Sequence, residues 1–300
     1  MTTNVAAEVT VDARRDDRVL APARWVAVAV IPVLASAFVI LYGFPRRTEE
    51  LWGWMVCPSM SGLVMGGGYL SGAYLFACVA RSREWHRIGV GFAATTVFSS
   101  ILLATTVLHW SRFNHDHVSF WAWIALYGAT PFLLPVLWWR NRRTDPGSLS
   151  DVDVRVPRRL RVAVGVGGLV QLGLAGVMFG WPHLAAEVWP WELEVATSRS
   201  LSAFVAFPAV TWAWFLVDSR WSSFRVTQQT ATLGLVLVAL GVPRAWDEFL
   251  GGWQTSLYLV ALAGAIAANV ALHLVMDRRA AGDRAGPVPA TPPAPAVSPL

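Results

Sequence analysis

Residues 45–54 read PRRTEELWGW, and residues 182–191 read PHLAAEVWPW. Laid over each other at a shift of 137, they align Pro45, Glu50, Trp52 and Trp54 with Pro182, Glu187, Trp189 and Trp191. The same shift pairs Ser61 with Ser198 and Arg83 with Arg220, and a shift of 136 pairs Trp110 and Phe113 with Trp246 and Phe249. Agreement of this kind, gapless from Pro45 to Ser61, points to an internal duplication.

The sequence around each copy is apolar. A hydrocarbon core about 30 Å thick needs runs of ~17–25 residues. Eight such runs are present: Trp25–Gly43, Gly62–Ala80, Ile88–Trp110, Phe120–Trp139, Val162–Gly180, Ser200–Val217, Val226–Trp246 and Gln254–Met276. The seventh has Gln228 and Gln229 near its start and Pro243-Arg244 near its end. Each copy of the loop follows the first run of a set of four. The expected fold is therefore all-α: a polytopic transmembrane bundle of eight spans, two tandem four-helix repeats in the same orientation, related by a pseudo-twofold along the membrane normal. The repeats occupy 25–139 and 162–276, joined by an Arg-rich linker at 140–161. A cytoplasmic segment, 1–24, precedes them, and a Pro/Ala-rich tail, 277–300, follows and is expected to be disordered.

The doubled P-x4-E-[LV]-W-x-W loop, with the stretch Leu108-His109-Trp110-Ser111-Arg112-Phe113, resembles the signatures of a group of multi-pass integral membrane proteins of actinobacteria. The resemblance spans about residues 40–275 and implies a membrane bundle with duplicated four-helix halves. That group has no established activity, so the resemblance implies no cofactor and no site residue.

Composition agrees with a lipid environment. Charged residues make up 14% of the chain and AVILMFWYC residues 55%, against roughly 25% charged in soluble domains. The net charge is +5, and all 24 basic residues are arginine. They lie between apolar runs rather than along one groove, which excludes a nucleic-acid track. Nineteen fall on the side of the two termini and five on the other. The positive-inside rule then places both termini in the cytoplasm of a cell with this protein in its plasma membrane. The 17 tryptophans cluster at the ends of the runs and read mostly as interfacial belts. Ala35-Ser36-Ala37 has the look of a signal-peptidase site, but the apolar run continues through Tyr42, as in a retained anchor. Cys57 and Cys78, 21 residues apart along a helix, are too distant for a disulfide.

Two constellations could carry chemistry. The paired loops place Glu50 with Trp52 and Trp54, and Glu187 with Trp189 and Trp191, at the outer rim; indole faces beside carboxylates suit an organic cation or a lipid headgroup. The blander alternative is an interfacial half-helix. The second constellation is His109, His115, Asp116 and His117, a donor set able to hold a divalent metal. The competing view, a polar loop meeting water and headgroups, is favoured because no compact ligand motif is present. The hydroxyls of the third run, at Thr95, Thr96, Ser99, Ser100, Thr105 and Thr106, are expected to bond back to their own helix. Gly68-x3-Gly72 calls for close helix approach. No nucleophile–base pair, phosphate loop or cofactor fingerprint is legible. The expected function is therefore a scaffold, accessory or small-ligand/lipid-binding protein; the alternatives are a transporter or channel with its pathway at the repeat interface, and a membrane enzyme using the outer histidines. Membrane lipids and a small-molecule ligand are the expected partners.

Overall fold

A computed structural model describes residues 15–149 and 153–284; the first 14 residues, residues 150–152 and the Pro-rich end from 285 lie outside the described residues. Eight long helices follow one another. They are α1 (Ala21–Phe38, running on as a π-helical turn, Val39–Gly43), α2 (Ser59–Arg81), α3 (His86–Leu108), α4 (Val118–Asn141), α5 (Arg158–Gly180), α6 (Val195–Ala213), α7 (Ser222–Gly241) and α8 (Gly252–Arg284). α8 continues past the expected boundary at 276, so the start of the predicted tail is helical.

Seven of the eight are long and apolar enough to cross a membrane, and α6 is the exception. The expected eight apolar spans are corrected to seven on this measure, and the shortfall falls on the sixth rather than the Gln-bearing seventh. The physical reason lies in its neighbours. α6 is wedged between α5 and α3, and Thr197, Ser198, Ser200, Ser202, Ala203, Ala206 and Ala209 are all buried. A helix enclosed by protein needs small side chains for close packing more than apolar bulk. Its ends still reach opposite ends of the bundle. Arg199 meets His109 at 2.9 Å on one side, and Arg161 donates to the Phe215 carbonyl at 3.0 Å on the other.

α1 packs chiefly on α2 and α5 on α6, while α3 joins α4 to α6 and α7 joins α8 to α2 and α3. The core is thus α2, α3, α6 and α7, with the other four around it. Glycine permits the tightest crossing. A Cβ on Gly168 would lie 2.3 Å from the Ala213 nitrogen and 2.8 Å from the Ala209 carbonyl oxygen, so α5 and α6 touch through their backbones. On α2, a Cβ at Gly66 would stand 2.9 Å from the Tyr42 nitrogen, the close approach expected of this glycine-rich helix.

The tryptophan expectation needs correction. Trp25, Trp110, Trp121, Trp139, Trp181, Trp246 and Trp253 are exposed, as belt residues would be. Trp52, Trp54, Trp85, Trp123, Trp191 and Trp221 are instead buried. Indole provides area as well as an interfacial donor, and tryptophans at helix ends fill the gaps where loops fold back over the core.

The α3 hydroxyls behave as expected. Thr95, Thr96, Thr105 and Thr106 donate to carbonyls four residues back at 2.7–2.9 Å. Ser99 and Ser100 share the Thr96 carbonyl at 3.1 and 2.8 Å.

Candidate functional site

The space among the core helices is not filled. A cavity of about 400 Å³ lies there, and all eight long helices contribute to its lining. Small residues open it: Gly68 and Gly72 on α2, Ala231 and Gly234 on α7, and Ala261 and Ala265 on α8. At Gly68 a Cβ would lie 2.3 Å from the Phe204 ring, so glycine lets that ring rest directly on α2. The walls are aliphatic and aromatic, and no Asp, Glu, Arg or His lines them. The volume is that of a small-molecule pocket.

The polar groups of the lining are mostly spent. Ser71, Thr130 and Thr230 donate to carbonyls of their own helices at 2.8–2.9 Å, as Thr95 and Ser99 do. The Gln171 amide donates to the Val205 carbonyl at 3.1 Å, and the Trp212 indole to Gln228 Oε1 at 3.1 Å. Three groups are not spent; the first, the Tyr258 hydroxyl, has no hydrogen-bond partner among the described residues. Tyr127 and Tyr69 are joined hydroxyl to hydroxyl at 3.2 Å, and among the described residues neither oxygen has another partner. The Trp189 indole nitrogen is buried and has no partner among them.

The doubled loops form one end of this region. Each begins with a short helix, Thr48–Leu51 in the first and Pro182–Val188 in the second, so the half-helix alternative describes the backbone. Their carboxylates and indoles part company. Glu50 is exposed and pairs with Arg47 at 2.7 Å, and Glu187 is exposed. Trp52 and Trp54 are buried against Trp123, with ring centroids at 5.8 and 4.6 Å, and Trp54 also meets Phe113 at 4.8 Å. Trp191, fully buried, packs on Phe249 and Tyr258 and donates from Nε1 to Ser61 Oγ at 2.9 Å. Trp189 lines the cavity, and the Trp52 ring lies tilted against Tyr69, with centroids 6.3 Å apart. The two loops use the same backbone bond to hold a turn at the same end of the bundle: Asn114 N–H to Gly53 O at 2.7 Å, and Leu250 N–H to Pro190 O at 2.9 Å.

The histidines of the 109–117 loop are engaged one by one. His109 Nε2 lies 2.9 Å from Arg199. Burial, then the charges of Arg199 and Arg112, hold its pKa below the ordinary imidazole value. The His115 ring lies tilted against Trp110, with centroids 5.0 Å apart, and edge-on to Phe120 at 4.7 Å. His117 caps α4, its Nδ1 accepting from the Ser119 N–H at 3.2 Å, and its Nε2 lies 3.1 Å from the Glu50 carbonyl. Asp116 is tied by its own N–H to Asn114 Oδ1 at 3.1 Å. Among the described residues, the three donors able to meet at one ion are instead Asp17, Glu84 and His86, within 4.8 Å of one another at the arginine-rich end.

That end carries the densest polar network, and the sequence reading above does not include it. Asp17 adopts a left-handed backbone (φ 55°), which Asp tolerates. Its carbonyl takes the Trp85 N–H at 2.6 Å, and its carboxylate takes both the His86 N–H, at 3.0 Å, and the His86 Nδ1. The mirror arrangement stands beside it: Val154 O takes the Trp221 N–H at 3.0 Å, and Asp153 takes the N–H of Ser222, at 3.1 Å, and its hydroxyl. The two meet where His86 Nε2 lies 2.9 Å from Ser222 Oγ. An Asp–His–Ser chain suggests a nucleophile, but here a second carboxylate already holds the serine hydroxyl and opposes the negative charge an alkoxide would develop. Asp17 pairs with Asp153, and Trp85 with Trp221, at the shift of 136 already noted, so the signal was present in the sequence.

Nearby, Arg220 forks onto Asp145 at 2.7 and 2.8 Å and also reaches Asp218. Burial pushes both carboxyls up, but the Arg220 hydrogen bonds and charge outweigh it and hold them below the ordinary carboxylate value. At the opposite end Glu248 caps α2, accepting from the Ser59 and Met60 N–H groups at 2.9 and 2.7 Å. No family model matches the chain, and no curated protein or solved structure is similar to it.

Proposed function

We propose that the chain is a multi-pass protein of the cell membrane that binds a small apolar molecule in its central cavity. The observation that carries the proposal is the cavity itself: about 400 Å³, lined from every long helix and by no charged side chain. A charged ligand would find no counter-ion there, whereas an apolar one would reach it from the bilayer. The doubled loops act as the lid of the site rather than as an open cation cage, since their indoles face inward and their glutamates lie outside.

The layout we propose is eight crossings in two duplicated halves, with both termini cytoplasmic. Its supports are the paired loop bonds, the matched Asp17 and Asp153 caps, the reach of α6 from end to end, and the arginine bias. The packing has the same two-part form: α3 on α6 answers α7 on α2. This is also the layout of the actinobacterial group that the doubled loop resembles.

The test is extraction of the detergent-purified protein and mass spectrometry of what comes off, for the native chain and for Ala231→Trp, which fills the cavity. A molecule enriched over bulk lipid in the native protein and lost from the folded variant is expected. No enriched molecule in either would overturn the proposal. A second reading, transport, is favoured by the position of the cavity between α1–α4 and α5–α8, where alternating access places a substrate site. Release of the bound molecule across proteoliposomes separates it from simple binding.

A further inference from the structure

Tyrosine hydroxyls that bond to each other hold two protons and share one hydrogen bond. One O–H of the Tyr69–Tyr127 pair therefore lacks an acceptor among the described residues, although both side chains are buried, 2% and 3% exposed, and both line the cavity. The Trp189 N–H is a second such donor in the same wall. Indole nitrogen can only donate, so nothing but an acceptor satisfies it. Trp52, which aligns with Trp189 in the duplicated loop, has the same unanswered N–H behind Tyr69. The serine and threonine hydroxyls of the lining have already spent their protons on helix carbonyls and make no comparable demand.

A buried donor without a partner costs about 1–3 kcal/mol, and proteins rarely leave several together. The buried, unpartnered donors of this cavity thus call for acceptors on a neutral skeleton, among walls rich in aromatic rings. We infer that the ligand is an uncharged apolar molecule bearing carbonyl oxygens, of the quinone or aryl-ketone class, held through a C=O group by the Tyr69–Tyr127 pair. This inference rests on the cavity reading above and adds the chemistry of what fills it. Water is the competing occupant, since it also accepts hydrogen bonds.

The probes are 2-methyl-1,4-naphthoquinone and 2-methylnaphthalene, which share a bicyclic skeleton and differ in the two carbonyls. Each is titrated calorimetrically into the full-length protein in detergent, with protein-free micelles as the blank. The quinone is expected to bind about tenfold more tightly. The double variant Tyr69→Phe/Tyr127→Phe should lose about five- to tenfold in quinone affinity, the worth of one neutral hydrogen bond, and leave the hydrocarbon unchanged. Infrared difference spectra give a readout independent of stability: the quinone C=O stretch should shift down on binding and recover in the double variant. Equal affinity for both probes, or an unshifted carbonyl band, would overturn the carbonyl assignment while leaving the cavity proposal standing, as would be the case if water answers the donors. Failure of both probes to bind the native chain would overturn the two together.

Discussion

Gly167 and Gly168 are neighbours on α5 with opposite surroundings, and they provide an internally controlled test of the packing. An added Cβ at Gly167 meets nothing within 4 Å. At Gly168 it would lie 2.3 Å from the Ala213 nitrogen, 2.7 Å from the Trp212 carbonyl carbon and 2.8 Å from the Ala209 oxygen. All three are backbone atoms, so no side chain can swing aside. Restoring an ordinary contact near 3.4 Å requires α5 and α6 to part by about 1 Å, and overpacking of this kind costs about 1–3 kcal/mol. Both Gly→Ala changes gain the same helix propensity, up to about 1 kcal/mol, so that contribution cancels in the comparison. Gly168→Ala should therefore unfold below Gly167→Ala by about 4–8 °C, taking about 2 kcal/mol at 2–4 °C each. Thermal unfolding followed by tryptophan fluorescence in detergent measures the difference. Coincident melting curves would refute the backbone-contact account of the α5–α6 crossing.

Arg220→Ala leaves two largely buried carboxylates without a partner and should destabilise by about 2–4 kcal/mol, with Arg220→Lys recovering only part because ammonium cannot fork onto Asp145. Because Asp145 and Asp218 titrate below their ordinary value in the fold, that stabilisation is complete above about pH 4 and is lost as pH falls through the folded values; the gap between native and Arg220→Ala melting points should close in acid. His109 is shifted the other way for its type: the fold favours the neutral ring, the unfolded chain binds the proton more readily, and stability should fall as pH drops below about 6.5. His109→Gln should flatten that limb of a pH–melting curve, and an unchanged slope would sink the assignment.

Much of the fold was legible because lipid imposes simple rules. Seven of the eight apolar runs correspond to apolar helices, within a few residues except at the end of α8, which runs eight residues past Met276, since a span needs length and hydropathy whatever it packs against. α6 was harder for the same reason. Hydropathy reports contact with lipid, and this helix faces protein on most sides. The tryptophans misled for a related cause: sequence places an indole at a helix end, while burial depends on whether the following loop folds inward, as at Trp52 and Trp191, or outward, as at Trp181. At the site, the doubled loop was visible and its tryptophans do reach the cavity wall at Trp189. The tyrosine pair was not, because Tyr69 and Tyr127 lie 58 residues apart on α2 and α4 and become neighbours only through packing. The same holds for Asp17, His86, Asp153 and Ser222, drawn from four separate segments.

The contact between His86 and Ser222 has a bearing on why the duplicated bundle proposed above would be kept as one polypeptide. In an assembly of two identical subunits, the residues meeting on a twofold axis must be the same, and two histidines there would face each other with equal claims on a proton. Joined in one chain, the two positions can drift apart, one to imidazole and the other to hydroxyl. Asp17, His86, Ser222 and Asp153 then form a line with a distinct beginning and end. In the proposed layout, covalent fusion gives the seam a polarity that strict symmetry forbids.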